Sequence, residues 1–234
     1  MPGPVALVGA GEFLPLMAEF DLGLLAATAR SRPRVVVLPT ASYPDGEDVF
    51  QRWAAMGVEH FSTLGAEVEP VLVRDRADAD DAAHVQAIGE ADLVYLSGGR
   101  PDYLLKTLAG TAVGRALADA HARGAVLAGC SAGAMVLAER QFDFRRRFLP
   151  WPLRWTFGLG FVSGAAVIPH YDGLPEPLTA LMALQLRVAR PSSASTRGRR
   201  SWDATAPGRS TGVPASRSGG GAGANASAMG RRFS

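Results

Sequence analysis

The sequence holds one cysteine, Cys130, among 234 residues, and only four histidines. A single thiol excludes an internal disulfide framework. The histidines show no HxxxH spacing and the lone cysteine no CxxC, so neither a metal nor any other cofactor is expected. No run approaches the roughly 18 apolar residues of a membrane span. The opening residues, MPGPVALVGAGEF, have neither a basic start nor a long apolar stretch, and the expectation is a soluble, cytoplasmic protein without a membrane partner. Apolar residues make up 47% of the chain, ample for one core and short for two large domains.

Charge is unevenly spread. Residues 187–234 carry nine arginines and one acid, Asp203, whereas the first 186 residues hold 15 basic and 21 acidic side chains. The net charge of +2 therefore conceals an acidic body and a basic tail. A nucleic-acid partner would rest on the tail alone, and none is expected of the body.

Within the body two kinds of segment alternate. Short β-branched runs, VALVG (5–9), RVVVLPT (34–40), VEPVLV (68–73), ADLVYLSGG (91–99), GAVLAG (124–129) and AAVIPH (165–170), read as buried strands of a parallel sheet. Apolar spacings near 3.6 predict helices over roughly 14–30, 45–64, 80–89, 101–122 and 132–140. The alternation defines an α/β fold: a doubly wound, mostly parallel sheet with helices on both faces. Ligands of such sheets lie beyond the carboxyl ends of the strands. That rule selects the stretches GAGEF (9–13), PTAS (39–42), SGGRPD (97–102), GCSAGA (129–134) and PHYDG (169–173), of which the last three hold the chemistry.

In GCSAG the pattern G-x-S-x-G centres on Ser131, at the join of a strand and a helix. This is the arrangement of a nucleophile elbow, in which tiny flanking residues permit a strained turn that lifts the central side chain over the sheet edge. Its plainer reading is a helix N-cap. Cys130, one position earlier, points back toward the sheet and reads as a small buried residue. His170 closes AAVIPH and would meet Ser131 as general base, unless it is simply a histidine satisfied at a strand end. Gly98 and Gly99 can bring backbone N–H groups close to a reacting carbonyl, and with the Ala132 N–H they would form an oxyanion hole. A tight turn would also require such glycines. His60, His84 and His121 fall in helical segments and are expected on the surface. GAGEF lacks the third glycine of a dinucleotide fingerprint, Leu14 standing there, and reads as a tight turn lining the site.

Taken together, GAGEF, LPTAS, LSGGRPDYLLKTL, GCSAGAMVL and VIPHYDG, in this order across residues 5–186, resemble the dipeptidase E and cyanophycinase serine peptidases, whose fold is that of the class I glutamine amidotransferases. The resemblance implies Ser131 as nucleophile, His170 as general base and the Gly99 region with Ala132 as oxyanion donors. Amidotransferases place cysteine at the elbow centre, so Ser131 speaks against glutaminase chemistry. The resemblance also implies an acid that orients His170. Asp143 is the first choice, because Glu139 is expected inside the helix after the elbow; Asp172, two residues past His170, is where the amidotransferases keep theirs. Substrates in the family run to aspartyl peptides or to aspartate-arginine polymers, and Arg100 or the arginines at 145–147 could pair with a substrate carboxylate. The expectation is a serine hydrolase acting on small, aspartyl peptides; a non-catalytic binding domain on the same fold is the alternative. A homodimer that buries a sheet edge is a further expectation.

After LMALQL the resemblance ends, and residues 187–234 turn to Arg, Ser, Gly, Ala and Pro, a low-complexity basic composition expected to stay disordered. Read in a frame shifted by two nucleotides through GC-rich codons, Ser193 onward can give GIDEGTALVGRDGAWQ and VHGRASVTVW, which resemble the family's ending. A shifted frame in a C-terminally incomplete domain, 1–186, is the expected origin of the tail.

Overall fold

The computed structural model describes residues 1–142 and 154–170, together with Pro177, Ala180 and Met182. The calls on Asp143, Asp172, the arginines 145–147 and the tail 187–234 fall outside the described residues.

Five strands form one parallel sheet in the order β1-β5-β4-β2-β3: Val5–Val8, Val126–Cys130, Leu93–Leu96, Arg34–Leu38 and Glu67–Pro70. β4 and β5 are buried at every position, and the last four residues of β2 as well, because helices cover both faces. On one face Val35, Val37, Tyr95 and Ala128 pack with α1 (Ala18–Ala27) and α2 (Glu47–Thr63). On the other, Val36, Leu38, Val94, Leu96 and Leu127 meet α3 (Ala82–Glu90), α4 (Pro101–Leu108), α5 (Ala112–Arg123) and α6 (Ala132–Leu137). Each large apolar side chain buried this way stabilises the fold by about 1.5–3 kcal/mol. The alternation of the sequence thus produces the doubly wound sheet it predicts.

Three elements depart from expectation. The segment 101–122 is two helices, not one. Gly110 adopts φ +74°, Thr111 caps α5 by accepting the Gly114 N–H at 3.3 Å, and the Arg76 guanidinium donates to the last carbonyls of α4, Lys106 and Ala109. The helix after the elbow stops at Leu137, and Glu139 lies on a strand, β6 (Ala138–Phe142). The last strand among the described residues, β8 (Val162–Ala166), does not join the parallel sheet. It forms a separate three-stranded sheet, β7-β6-β8, with β7 being Trp155–Phe157. Gly158 is the reason the chain can fold back on β6: its N–H donates to Glu139 O at 2.9 Å, and a Cβ there would overlap the Ala138 carbonyl oxygen.

The three helical histidines are half-buried, not fully on the surface as expected. His60 Nε2 lies 2.8 Å from Oδ2 of fully buried Asp21, whose desolvated carboxyl is shifted upward against the pull of that histidine. His84 Nδ1 is 2.9 Å from Asp78 O, and His121 packs edge-on against Phe161. In each case the ring lies on the side of its helix that faces a neighbour, where the 3.6-residue period alone does not separate inward from outward polar positions.

Candidate active site

The loops after β1, β4 and β5 converge at one end of the parallel sheet, where the sheet order places β1 and β4 on either side of β5. Ser131 follows β5 directly. Its backbone holds φ +49°, ψ −107°, a strained conformation that costs of order 1–3 kcal/mol and persists because its surroundings fix it. The Ser131 N–H donates to Val8 O at 2.9 Å, and Ser131 O accepts the Met135 N–H at 3.0 Å. The flanking glycines are sterically required. A Cβ on Gly129 would sit 2.5 Å from the Gly133 carbonyl carbon, and one on Gly133 would overlap the Leu96 carbonyl oxygen. The serine is therefore the raised point of a sharp strand-to-helix turn.

Ser131 Oγ lies 3.2 Å from His170 Nε2. His170 does not end a strand of the parallel sheet: it comes four residues after β8, in a bend with φ +52°, its N–H 3.4 Å from Gly9 O. The loop after β1 thus holds the histidine against the elbow. Among the described residues no acid hydrogen-bonds the other ring nitrogen of His170. Glu139 is committed elsewhere, accepting the Gly164 N–H at 2.7 Å, which ties β6 to β8.

The glycine loop lies beside the pair. Gly99, at φ +134°, backs onto Ala41 and Ser42 so closely that a Cβ would come within 2.7 Å of the Ser42 nitrogen. The Arg100 N–H donates to Ala41 O at 2.7 Å and the Ser97 N–H to Leu38 O at 3.1 Å. The Gly98 N–H is not free for an oxyanion, because it donates to both carboxyl oxygens of Glu12 at 2.9 Å. Among the described residues the Gly99 N–H has no partner, and Ala132, at the first position of α6, has no intrahelical acceptor. These two are the available donors.

Two cavities open on either side of Ser131 and His170. One, of about 320 Å³, is lined by Arg100, Asp102 and Met135; the other, of about 270 Å³, by Glu12, Leu14, Trp53 and Met56. The Arg100 side chain is half exposed and 3.9 Å from Asp102, loosely enough paired to leave its N–H groups for a ligand. Cys130 is 1% exposed, and burial pushes its thiol up to about 12, so it is not a thiolate nucleophile. Glu12 is the residue that sequence reasoning passed over. It is 7% exposed, and burial raises its carboxyl to about 7 against the opposing effects of the Gly98 N–H and the Cys130 thiol. A glutamate in a glycine turn gives no spacing signal of its own.

An elbow serine, a histidine at hydrogen-bond reach and backbone donors without partners among the described residues are the parts that a hydrolase acting through an acyl intermediate requires. Comparison with known proteins specifies the class. The model of peptidase family S51 matches residues 7–186, and the chain belongs to that family. It is 30% identical to the uncharacterized peptidase YgaJ of Bacillus subtilis (strain 168) over 170 residues, 72% of this chain and 68% of the relative. A crystal structure of a peptidase from an acI-B1 Actinobacterium superposes with a TM-score of 0.68 at 34% identity, covering 78% of this chain and 75% of that one. A putative peptidase E protein from Listeria monocytogenes EGD-e, 19% identical, shares the fold with a TM-score of 0.54 over 79% of this chain and 88% of its own. The protein is a peptidase of the serine type.

Proposed function

We propose that the protein cleaves short peptides, with Ser131 as nucleophile and His170 as general base. The observation that carries this reading is the 3.2 Å approach of Ser131 Oγ to His170 Nε2 on a strained elbow. His170 takes the hydroxyl proton as Oγ attacks the scissile carbonyl, and the oxyanion is stabilised by the Gly99 N–H of the glycine loop and the Ala132 N–H at the start of α6. The proton then passes from Nε2 to the departing amine, and a water activated by the same nitrogen releases the acid and restores the serine. Asp143 or Asp172 orients the imidazole. The cavity beside Arg100 receives an acidic group of the substrate, through a charge-assisted pair with the guanidinium. An Arg100→Glu variant that cleaved aspartyl peptides at the original rate would remove Arg100 from this role.

Labelling with a fluorophosphonate followed by mass spectrometry tests the central claim. An adduct on Ser131 that disappears in Ser131→Ala is the expected outcome. An intact, unlabelled protein would favour the non-catalytic binding domain.

A further inference from the structure

Glu12 is a buried carboxylate with no basic side chain against it among the described residues. Burying a carboxyl in this way is costly unless something requires it, and a neutral side chain would fill the space at less cost. Its N–H partner is Gly98, held by both oxygens at 2.9 Å. A Cβ on Gly98 would come 2.8 Å from Glu12 Oε1, so a side chain there would push the carboxyl off its present place. The glycine loop is thereby gripped on one side by Glu12 and on the other by Ala41, which takes the Arg100 N–H at 2.7 Å. Between the two grips only the Gly99 N–H is left unengaged, and Gly99 lines both cavities with Ser131 and His170.

We propose that Glu12 is a positioning residue of the peptidase: by holding the Gly98 N–H, its carboxyl turns the Gly99 N–H toward the space in front of Ser131 where the oxyanion forms. The proposal rests on the reading of Ser131 as nucleophile. It assigns Glu12 no contact with substrate. The titratable groups facing Glu12 are Cys130 at the end of β5 and Tyr95 on β4, with Asp21 of α1 beyond them and His170 across the shared cavity. Cys130 and Tyr95 are both shifted upward by burial and stay neutral around pH 7. A change near neutrality at Gly98 that Glu12→Gln abolishes therefore reports Glu12.

Three variants and two readouts test it. In wild-type protein the Gly98 amide resonance should move with pH between 5 and 9, and in Glu12→Gln that movement should vanish. Glu12→Ala should slow fluorophosphonate labelling of Ser131 and lower kcat on a peptide substrate by roughly 100-fold, the scale of a lost oxyanion donor. KM should change less than about threefold, because only transition-state contact is lost. Glu12→Gln, whose amide oxygen can accept the Gly98 N–H, should rescue most of that loss. An Ala variant that labels at the wild-type rate, or a Gln variant no better than Ala, would overturn the proposal. If Glu12→Ala does not fold, the Gln variant and the Gly98 titration decide alone, and a Gly98 resonance equally mobile in wild type and Gln overturns it. Failure of wild type to label with Ser131 intact would instead count against the nucleophile, and the Gly98 titration would still decide whether Glu12 grips the loop.

Discussion

Ser131 leaves a strand, β5, in which all five residues are buried, whereas His170 follows a strand, β8, in which none is. Ser131 follows β5, between β1 and β4 in a five-stranded sheet covered on both faces, with its turn wedged between Val8, Leu96 and α6. His170 lies just past a three-stranded sheet with a register shift between Ala138 and Arg140, tied to the rest by contacts such as the Leu159 N–H on Val136 O at 2.7 Å and the His170 N–H on Gly9 O at 3.4 Å. Strain of the kind stored at Ser131 needs an over-determined setting, which the large sheet supplies. A general base needs reach more than rigidity, since it must approach both the serine and the leaving amine.

The comparison can be broken most sharply at the point where the two regions meet. Ser131→Ala and His170→Ala should each lower kcat by roughly 10⁶, and the double variant by no more than either, because the pair acts as a unit; steady-state kinetics on one peptide would show it. Additive losses would mean that the small sheet contributes something separate.

The second effect is on stability. Gly133→Ala would drive a methyl into the Leu96 carbonyl oxygen in the middle of the large sheet, and a loss of more than about 3 kcal/mol is expected from urea unfolding. A loss below about 1 kcal/mol would mean that the elbow relaxes and is not over-determined.

The third concerns Glu12, on the large-sheet side. Its carboxyl is raised from 4.5 to about 7 in the folded protein, so the folded state holds the proton more tightly than the unfolded chain. Stability contributed by this group is therefore complete below about pH 4.5 and is lost as pH rises toward and through about 7. The full span is about 3 kcal/mol. Glu12→Gln should flatten this part of a stability profile measured between pH 4.5 and 8, and a profile unchanged by the substitution would contradict the shift.

The smallest effect is expected in the small sheet. Gly164 has φ +71° but nothing within 4 Å of where a Cβ would stand, so Gly164→Ala meets backbone strain without a clash. It should cost about 1 kcal/mol. The ratio between Gly133→Ala and Gly164→Ala in the same unfolding experiment measures how differently the two sheets are packed.

Much of this was open to a reading of the residues. The β-branched runs separated by helix-length segments led to the doubly wound sheet, and the carboxyl-end rule led to the stretches around Gly99, Ser131 and His170. Reading AAVIPH as one more parallel strand failed because an apolar run of that length carries no information about which sheet it joins. The helix from 132 failed at Leu137 because Ala138 to Phe142 suits helix and strand alike by pattern, and a glycine twenty residues on, Gly158, decides between them by packing on the chain.

The sequence by itself determined what is local. Glycines at 129 and 133 permit an elbow, and a short apolar run before each loop sends its end to the same edge of a sheet. Tertiary structure decided what depends on distance between segments far apart in the chain. It brought His170 within 3.2 Å of Ser131 from a different sheet, turned Glu139 to Gly164, and spent the Gly98 N–H on Glu12, 86 residues away. Spacing along a chain fixes which side of an element a residue faces. Only the packed sheet and its loops fix which buried donor finds which acceptor.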